Sequence, residues 1–287
     1  MSVAVYPALL AVTAVWGWTF VLVKDAIAAY PTVPFLALRF ALAAAVLAAV
    51  VRRPPGRREL VAGGAVGLAL AAGYLVQTLG LQFTSPGTAG LITGLFVVFT
   101  PLLQRFTGAP LRPVTVAAVV LALAGTALLS GGLAGLGLGD LLVLGCAVAF
   151  ALHIVLLGRW APDLSAPALT MVQLFTCAVV FGLGGAFQFR WPSPSVWFAI
   201  AVTGLLASAL AFLIQTWAQS HLQPTQIALI LTTEPAWALL FAVLLAGQRL
   251  TLYSALGAGL VLLAIVGHEA VRALEKRSGR EVRTQRA

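Results

Sequence analysis

The stretch LVAGGAVGLALAAGYLVQTLGL, residues 60–81, decides the fold. It carries no charged residue, and its apolar positions run on without alternation. A barrel strand must alternate between a lipid face and a lumen face, so the stretch is not one. Its length meets the roughly 20 residues that a helix needs to cross about 30 Å of hydrocarbon. Inside hydrocarbon every backbone amide must be paired within the segment, and a helix pairs them. The same reading extends to the whole chain. Of its 287 residues 61% are hydrophobic and 9% charged, and the mean hydropathy is +1.03. A water-soluble domain with that composition would expose large apolar patches.

Working outward, apolar runs fall at Val3–Val23, Pro34–Val51, Leu60–Leu81, Gly87–Gln104 and Pro113–Ser130, separated by breaks rich in Pro, Gly or Arg. After the glycine-rich stretch Gly131–Gly139 come Asp140–Leu157, Ala166–Phe187, Ser195–Trp217, Gln223–Ala246 and Tyr253–Val271. The expected fold is all-α and integral to the membrane, with ten transmembrane helices. The first run is longer than the apolar core of a secretory signal and is read as a retained helix.

The net charge of +9 would ordinarily suggest an anionic partner such as nucleic acid. Its placement argues for topology instead. With a cytoplasmic N-terminus, thirteen of the seventeen basic residues fall on inner segments: Arg52, Arg53, Arg57, Arg58, Arg105, Arg112, Arg159, Arg272, Lys276, Arg277, Arg280, Arg283 and Arg286. Lys24, Arg190 and Arg249 fall outside, and Arg39 lies within the second helix. By the positive-inside rule both termini face the cytoplasm. The expected lipid partner is the bilayer itself, and no nucleic acid is implied.

The halves resemble each other at an offset of 138. Gln77 and Thr78 align with Gln215 and Thr216, Pro86 with Pro224, and Leu91 and Ile92 with Leu229 and Ile230. Five helices per half is an odd number, so the two copies would cross the membrane in opposite senses, an inverted repeat. The expected division is residues 1–131, residues 132–271 and a basic cytoplasmic tail, 272–287.

Polar groups in hydrocarbon mark the candidate site. Glu234 lies mid-run in TTEPAW, residues 232–237. An ionised carboxylate at such a depth costs about 2.5 kcal/mol or more unless water, a cation or a proton meets it. It is the candidate for proton or cation coupling; the alternative is a permanently protonated side chain bonded between helices. Pro235 removes a helical donor beside it, and Thr232 and Trp237 join the candidate binding residues. Arg39 is read either as an anion contact or as a snorkelling cation. Thr13, Trp16, Gly17, Phe20 and Lys24 share one helical face; Trp16 and Phe20 there form an aromatic wall suited to a planar or cationic solute. Tyr74, Gln77 and Thr78 share a face of the third helix, and Ser208, Phe212, Gln215 and Gln219 a face of the eighth. These faces point to a wet cavity or to bonds between helices. His153 is a further candidate, and Gln173 stands near the same path. Gly63 with Gly67, and Gly90 with Gly94, have the spacing of close helix contact.

No Walker, zincin, nucleophile-elbow or Cys-x-x-Cys motif occurs. Cys146 and Cys177 lie in apolar runs and imply neither disulfide nor metal. No cofactor is expected, and no enzyme. A membrane enzyme acting on lipid would need clustered acids, whereas Asp25, Asp140 and Asp163 are far apart in sequence.

Trp16-Gly17 with Phe20 and Lys24, residues 35–40 (FLALRF), Gly139-Asp140, Glu234-Pro235 and residues 247–250 (GQRL) occur in an order that resembles the drug/metabolite transporter superfamily, specifically its EamA-type members. The resemblance covers about residues 5–270. It implies a five-plus-five inverted fold, a central cavity and export of amino acids, other metabolites or toxic compounds from the bacterial cytoplasm across the inner membrane. Gln248 stands where the family often has Glu. Val97 stands where a proline would match Pro235, so the resemblance predicts no matched pair of proline-broken helices. The expected function is alternating-access export of small organic metabolites, aromatic or apolar amino acids first. The rival readings are efflux of cationic drugs and a channel. A monomer or weak homodimer is expected.

Overall fold

The computed structural model describes residues 5–51, 53–107, 112–129, 136–221 and 230–284. Among these every regular element is helical. In chain order they are α1 (Val5–Ala29), α2 (Thr32–Val50), α3 (Arg57–Leu81), α4 (Pro86–Thr93), α5 (Phe96–Gln104), α6 (Pro113–Leu129), α7 (Leu138–Trp160), α8 (Ala166–Gly185), α9 (Pro194–Gly204), a π-helical turn at Leu205–Leu210, α10 (Ala211–His221), α11 (Glu234–Ala246) and α12 (Leu252–Thr284). Seven segments are long and apolar enough to cross a membrane: α1, α2, α3, α4 with α5, α7 and α8 each with the 3-10 turn that follows, and α9 through α10. The apolar helices Pro113–Leu129, Glu234–Ala246 and Leu252–His268 are shorter. The start of the expected ninth run, and most of the glycine-rich stretch between the expected halves, lie outside the described residues.

Local chemistry explains where these helices begin. Pro86, Pro113 and Pro194 stand in first turns, where the missing N–H costs nothing. Ser85 accepts from Thr88 N at 3.2 Å and Ser193 from Val196 N at 3.5 Å. Glu59 accepts from Gly56 N at 2.7 Å and pairs with Arg53. Asp140 accepts from Gly137 N at 3.3 Å and from Thr84 Oγ1 at 2.7 Å. Lys24 Nζ donates to the carbonyls of Leu81, Gln82 and Thr84, closing the end of α3. The lysine face foreseen on α1 therefore ends in a helix cap. Outward-facing Leu68, Val120, Leu152, Phe175 and Leu244 are exposed, a surface suited to hydrocarbon.

Equivalent helices at the offset of 138 touch each other and run antiparallel. In α2 and α8, Pro34 meets Gly185 and Phe40 meets Phe181, with ring centroids 5.7 Å apart. In α6 and α12, Thr115 Oγ1 lies 3.1 Å from His268 Nε2, and Gly125 packs on Val261. α4 and α11 are not counterparts, since α11 matches α5 at this offset, but they too run antiparallel: Gly87, Gly90 and Gly94 pack in turn on Ala242, Ala238 and Pro235. Glycine permits this approach: a Cβ at Gly87 would sit 3.1 Å from Ala242 Cβ. Gly63 and Gly67 likewise seat α3 on Val172 and Thr176 of α8.

The helical path is broken between α4 and α5 at Gly94 and Leu95, and again before α11 at Thr232 and Thr233. These pairs are 138 apart. Leu95 N donates to Ile92 O at 3.1 Å, and Thr233 N to Ile230 O at 3.0 Å; Phe99 N donates to Leu95 O, and Trp237 N to Thr233 O. The lack of a proline at Val97 thus does not prevent a matching break. Both turns close with the same tight backbone bond, and a proline is compatible with the first turn beyond it but not needed.

Candidate functional site

The two breaks adjoin a cleft lined by residues on both sides of them. Its wall takes Trp16, Thr19, Phe20 and Val23 from α1, Arg39 from α2, Leu70, Tyr74, Gln77, Thr78 and Leu81 from α3, and Phe96 from α5. From the second half come Phe150, His153 and Ile154 of α7, Phe212 and Gln215 of α10, then Leu231 and Glu234. Nine of the residues expected from sequence meet here: Trp16, Phe20, Arg39, Tyr74, Gln77, Thr78, His153, Gln215 and Glu234.

Two expected residues do not reach the wall. Trp237 is carried one helical turn past Glu234, where its Cβ and carbonyl carbon pack against Gly17 and its ring stacks on Phe241 at 6.1 Å. Thr232 is buried in the break itself. Trp237 shares a face with Glu234 at i+3 but stands one turn further along α11, where the close approach at Gly17 of α1 takes it out of the wall.

The offset also explains which residues the sequence did not single out. Phe96 opens α5 as Glu234 opens α11, and Ile154 stands opposite Trp16 in register; both line the cleft. Applied to Trp16 and Glu234, the repeat would have found them. Phe150 has no such signal. It is placed by Gly73, which lets the ring lie against α3 and edge-on to Tyr74 at 5.2 Å.

The π-helical turn between α9 and α10 orients the site. A π turn misaligns carbonyls and side chains relative to the α-helix around it. Here Ala207 O accepts from Trp16 Nε1 at 2.9 Å, and Ser208 Oγ accepts from Arg39 Nε at 2.8 Å. Arg39 Nη2 donates to Tyr74 Oη at 3.1 Å, and the guanidinium lies 4.5 Å from the centre of the tyrosine ring. Arg39 is only 2% exposed, so it does not snorkel to a headgroup. Among the described residues no carboxylate pairs with it; the ion pair found there is Arg53–Glu59.

Glu234 is 5% exposed at the first turn of α11. Among the described residues it makes no hydrogen bond or ion pair, so its compensation there is the positive end of the helix. Thr233, just before it, is held to Thr13 of α1, their hydroxyls 2.8 Å apart. Gln77 Nε2 donates to Thr93 Oγ1 at 3.1 Å. Its counterpart Gln215 keeps a buried Oε1 with no partner among the described residues. His153 Nε2 lies 2.9 Å from Gln173 Oε1, and Gln173 Nε2 donates to Thr216 Oγ1 at 3.3 Å. That chain anchors the imidazole, which leans edge-on against Phe212 at 5.8 Å. The arrangement has aromatic walls, two amides, and a guanidinium and a carboxyl group that do not pair with each other, a set fit to hold a small amphipathic molecule.

Comparison with known proteins gives three findings. The model of the EamA-like transporter family matches twice, over residues 4–131 and 137–268. An uncharacterized transporter of Archaeoglobus fulgidus is 30% identical over 261 residues, covering 89% of this chain and 82% of its own length. A solved crystal structure with 25% identity superposes with a TM-score of 0.68, over 94% of this chain and 97% of that one.

Proposed function

Because the chain belongs to the EamA-like transporter family, and is thus a multi-pass membrane transporter of small molecules and not an enzyme, we propose that it exports amino acids, aromatic or apolar ones first, by alternating access. The observation that carries this reading is the cleft where the two halves meet, with Tyr74, Phe212 and Trp16 around Arg39 and Glu234, neither of which makes an ion pair among the described residues. Apolar side chains find aromatic surface there, and charged backbone groups find counter-charge.

The same proposal includes ten spans, as two five-helix halves of opposite insertion. Antiparallel contact between the equivalent pairs α2 and α8, and α6 and α12, supports it. An axis along the membrane normal would make equivalent helices parallel, whereas an axis in the membrane plane makes them antiparallel. The two breaks put short helix ends at the cleft, a recurrent device for binding charged groups at mid-membrane. The division at residues 131 and 132 and a basic tail from 272 follow from the same register. The distribution of Lys and Arg supports placing both termini in the cytoplasm, and a bacterial inner membrane is part of the same proposal.

Purified protein in liposomes loaded with labelled phenylalanine, tryptophan or leucine should release label faster than protein-free vesicles, with saturation. No acceleration across a broad amino-acid panel would overturn the substrate class, and unsaturable flux at channel rates would overturn the carrier mechanism. A second reading, efflux of organic cations, is favoured by unpaired Glu234; unlabelled cations would then stimulate counterflow where amino acids do not.

A further inference from the structure

The 138-residue register shows what is particular to this cleft. Tyr74 pairs with Phe212 and Gln77 with Gln215, but at three places the halves part. Where one half has Arg39, the other has Cys177, which donates to Gly67 O at 3.4 Å. Where one has Glu234, the other has Phe96 at the same first turn of a half-helix. Where Thr93 holds the amide of Gln77, the other half has Leu231, and Gln215 Oε1 is left unpartnered. The fold is therefore built at each position once without the charge or once with the amide satisfied. Helix packing does not demand these departures.

All three departures lie on one cleft, and they differ in sign. Ser208 and Tyr74 take two of the Arg39 nitrogens and fix the guanidinium plane, while Nη1 has no partner among the described residues. A planar, pre-oriented guanidinium suits a carboxylate. Gln215 Oε1 and the Glu234 carboxylate both accept N–H donors. We propose that Arg39 is the subsite for the cargo's carboxylate and that Gln215 and Glu234 receive its ammonium group, which deepens the amino-acid reading above and rests on it. A zwitterion brings both counter-charges in one molecule. Without it, Arg39 and the Glu234 carboxyl group are each left without a counter-charge among the described residues, which is costly in hydrocarbon.

The test is the thermal stability of the full-length protein in detergent with three probes: L-phenylalanine, 3-phenylpropionate, which lacks the ammonium, and 2-phenylethylamine, which lacks the carboxylate. Ligands that bind the folded state raise its melting temperature in proportion to occupancy. Phenylalanine should bind best, and phenylethylamine about 30-fold more weakly or worse, the scale expected when a buried charge loses its partner. Arg39→Gln should lose its response to both carboxylates and keep that to phenylethylamine. If Arg39→Gln does not fold, Arg39→Lys carries the test, since it keeps the charge but not the planar fork, and its affinity for both carboxylates should fall relative to the amine.

Equal binding of phenylalanine and phenylethylamine overturns the Arg39 subsite while leaving amino-acid export intact. Undiminished carboxylate binding by either variant does the same. Binding of 3-phenylpropionate with none of phenylalanine keeps the subsite and overturns the amino-acid reading. Silence from all three probes overturns the subsite.

Discussion

Trp16 shows how a single side chain joins the wall to the frame. Its ring lies 5.6 Å from that of Phe212, and its Nε1 holds Ala207 O in the π turn. Trp16→Phe keeps an aromatic surface but leaves that carbonyl unpaired, which should destabilise the protein by about 1–3 kcal/mol, read as a lower melting temperature in detergent; an unchanged value would mean the carbonyl finds another donor. Glu234 belongs to the same scale. If it is the coupling group, Glu234→Gln should fold normally yet remove any acceleration of efflux by an imposed pH gradient, measured in proteoliposomes with and without the gradient. A retained gradient response would take Glu234 out of that role.

Among elements, the broken spans and the glycines between them set the geometry. Gly17 is seated on the backbone of α11, where a Cβ would fall 2.7 Å from Ala238 N. Backbone cannot yield as a flexible side chain can. Gly17→Val should therefore force α1 and α11 apart, at a cost of about 1–3 kcal/mol or more, whereas Gly145→Ala on α7, with nothing within 4 Å of its Cβ, should leave the melting temperature unchanged or slightly raised. Equal loss from both variants would show that the α1–α11 contact has no special role. The family marker Gln248 also acts between elements. Its Oε1 accepts from Gly87 N at 3.1 Å, so it caps α4 from the far side of α11. A glutamine serves a neutral cap as well as a glutamate does, which explains why the departure from the family's acid leaves the contact intact.

For the whole molecule, the proposed opposed insertion of the halves is a statement about sides of a membrane. Cysteine placed at Phe187, in the exposed segment after α8, should react with an impermeant maleimide in intact cells, and cysteine at Ser278 only after the cells are opened. The reverse pattern would invert the topology. Native Cys146 and Cys177 are both fully buried and should stay silent in the same assay.

Hydropathy and charge are local quantities, so the amino-acid order alone determined that the chain is helical and meant for lipid, where most spans lie, and which polar residues could not face hydrocarbon. The repeat at 138 was legible from a handful of matches such as Gln77-Thr78 with Gln215-Thr216. The tertiary structure decided which of those residues meet. It drew Phe96, Phe150 and Ile154 into the wall, turned Trp237 onto Gly17, gave Lys24 to the end of α3, and placed a break at Gly94 without a proline. Each of these depends on the azimuth and crossing of helices far apart in sequence. Those are set by close approaches such as Gly90 on Ala238 and Gly73 on Phe150, and no local pattern of apolar and polar residues encodes them.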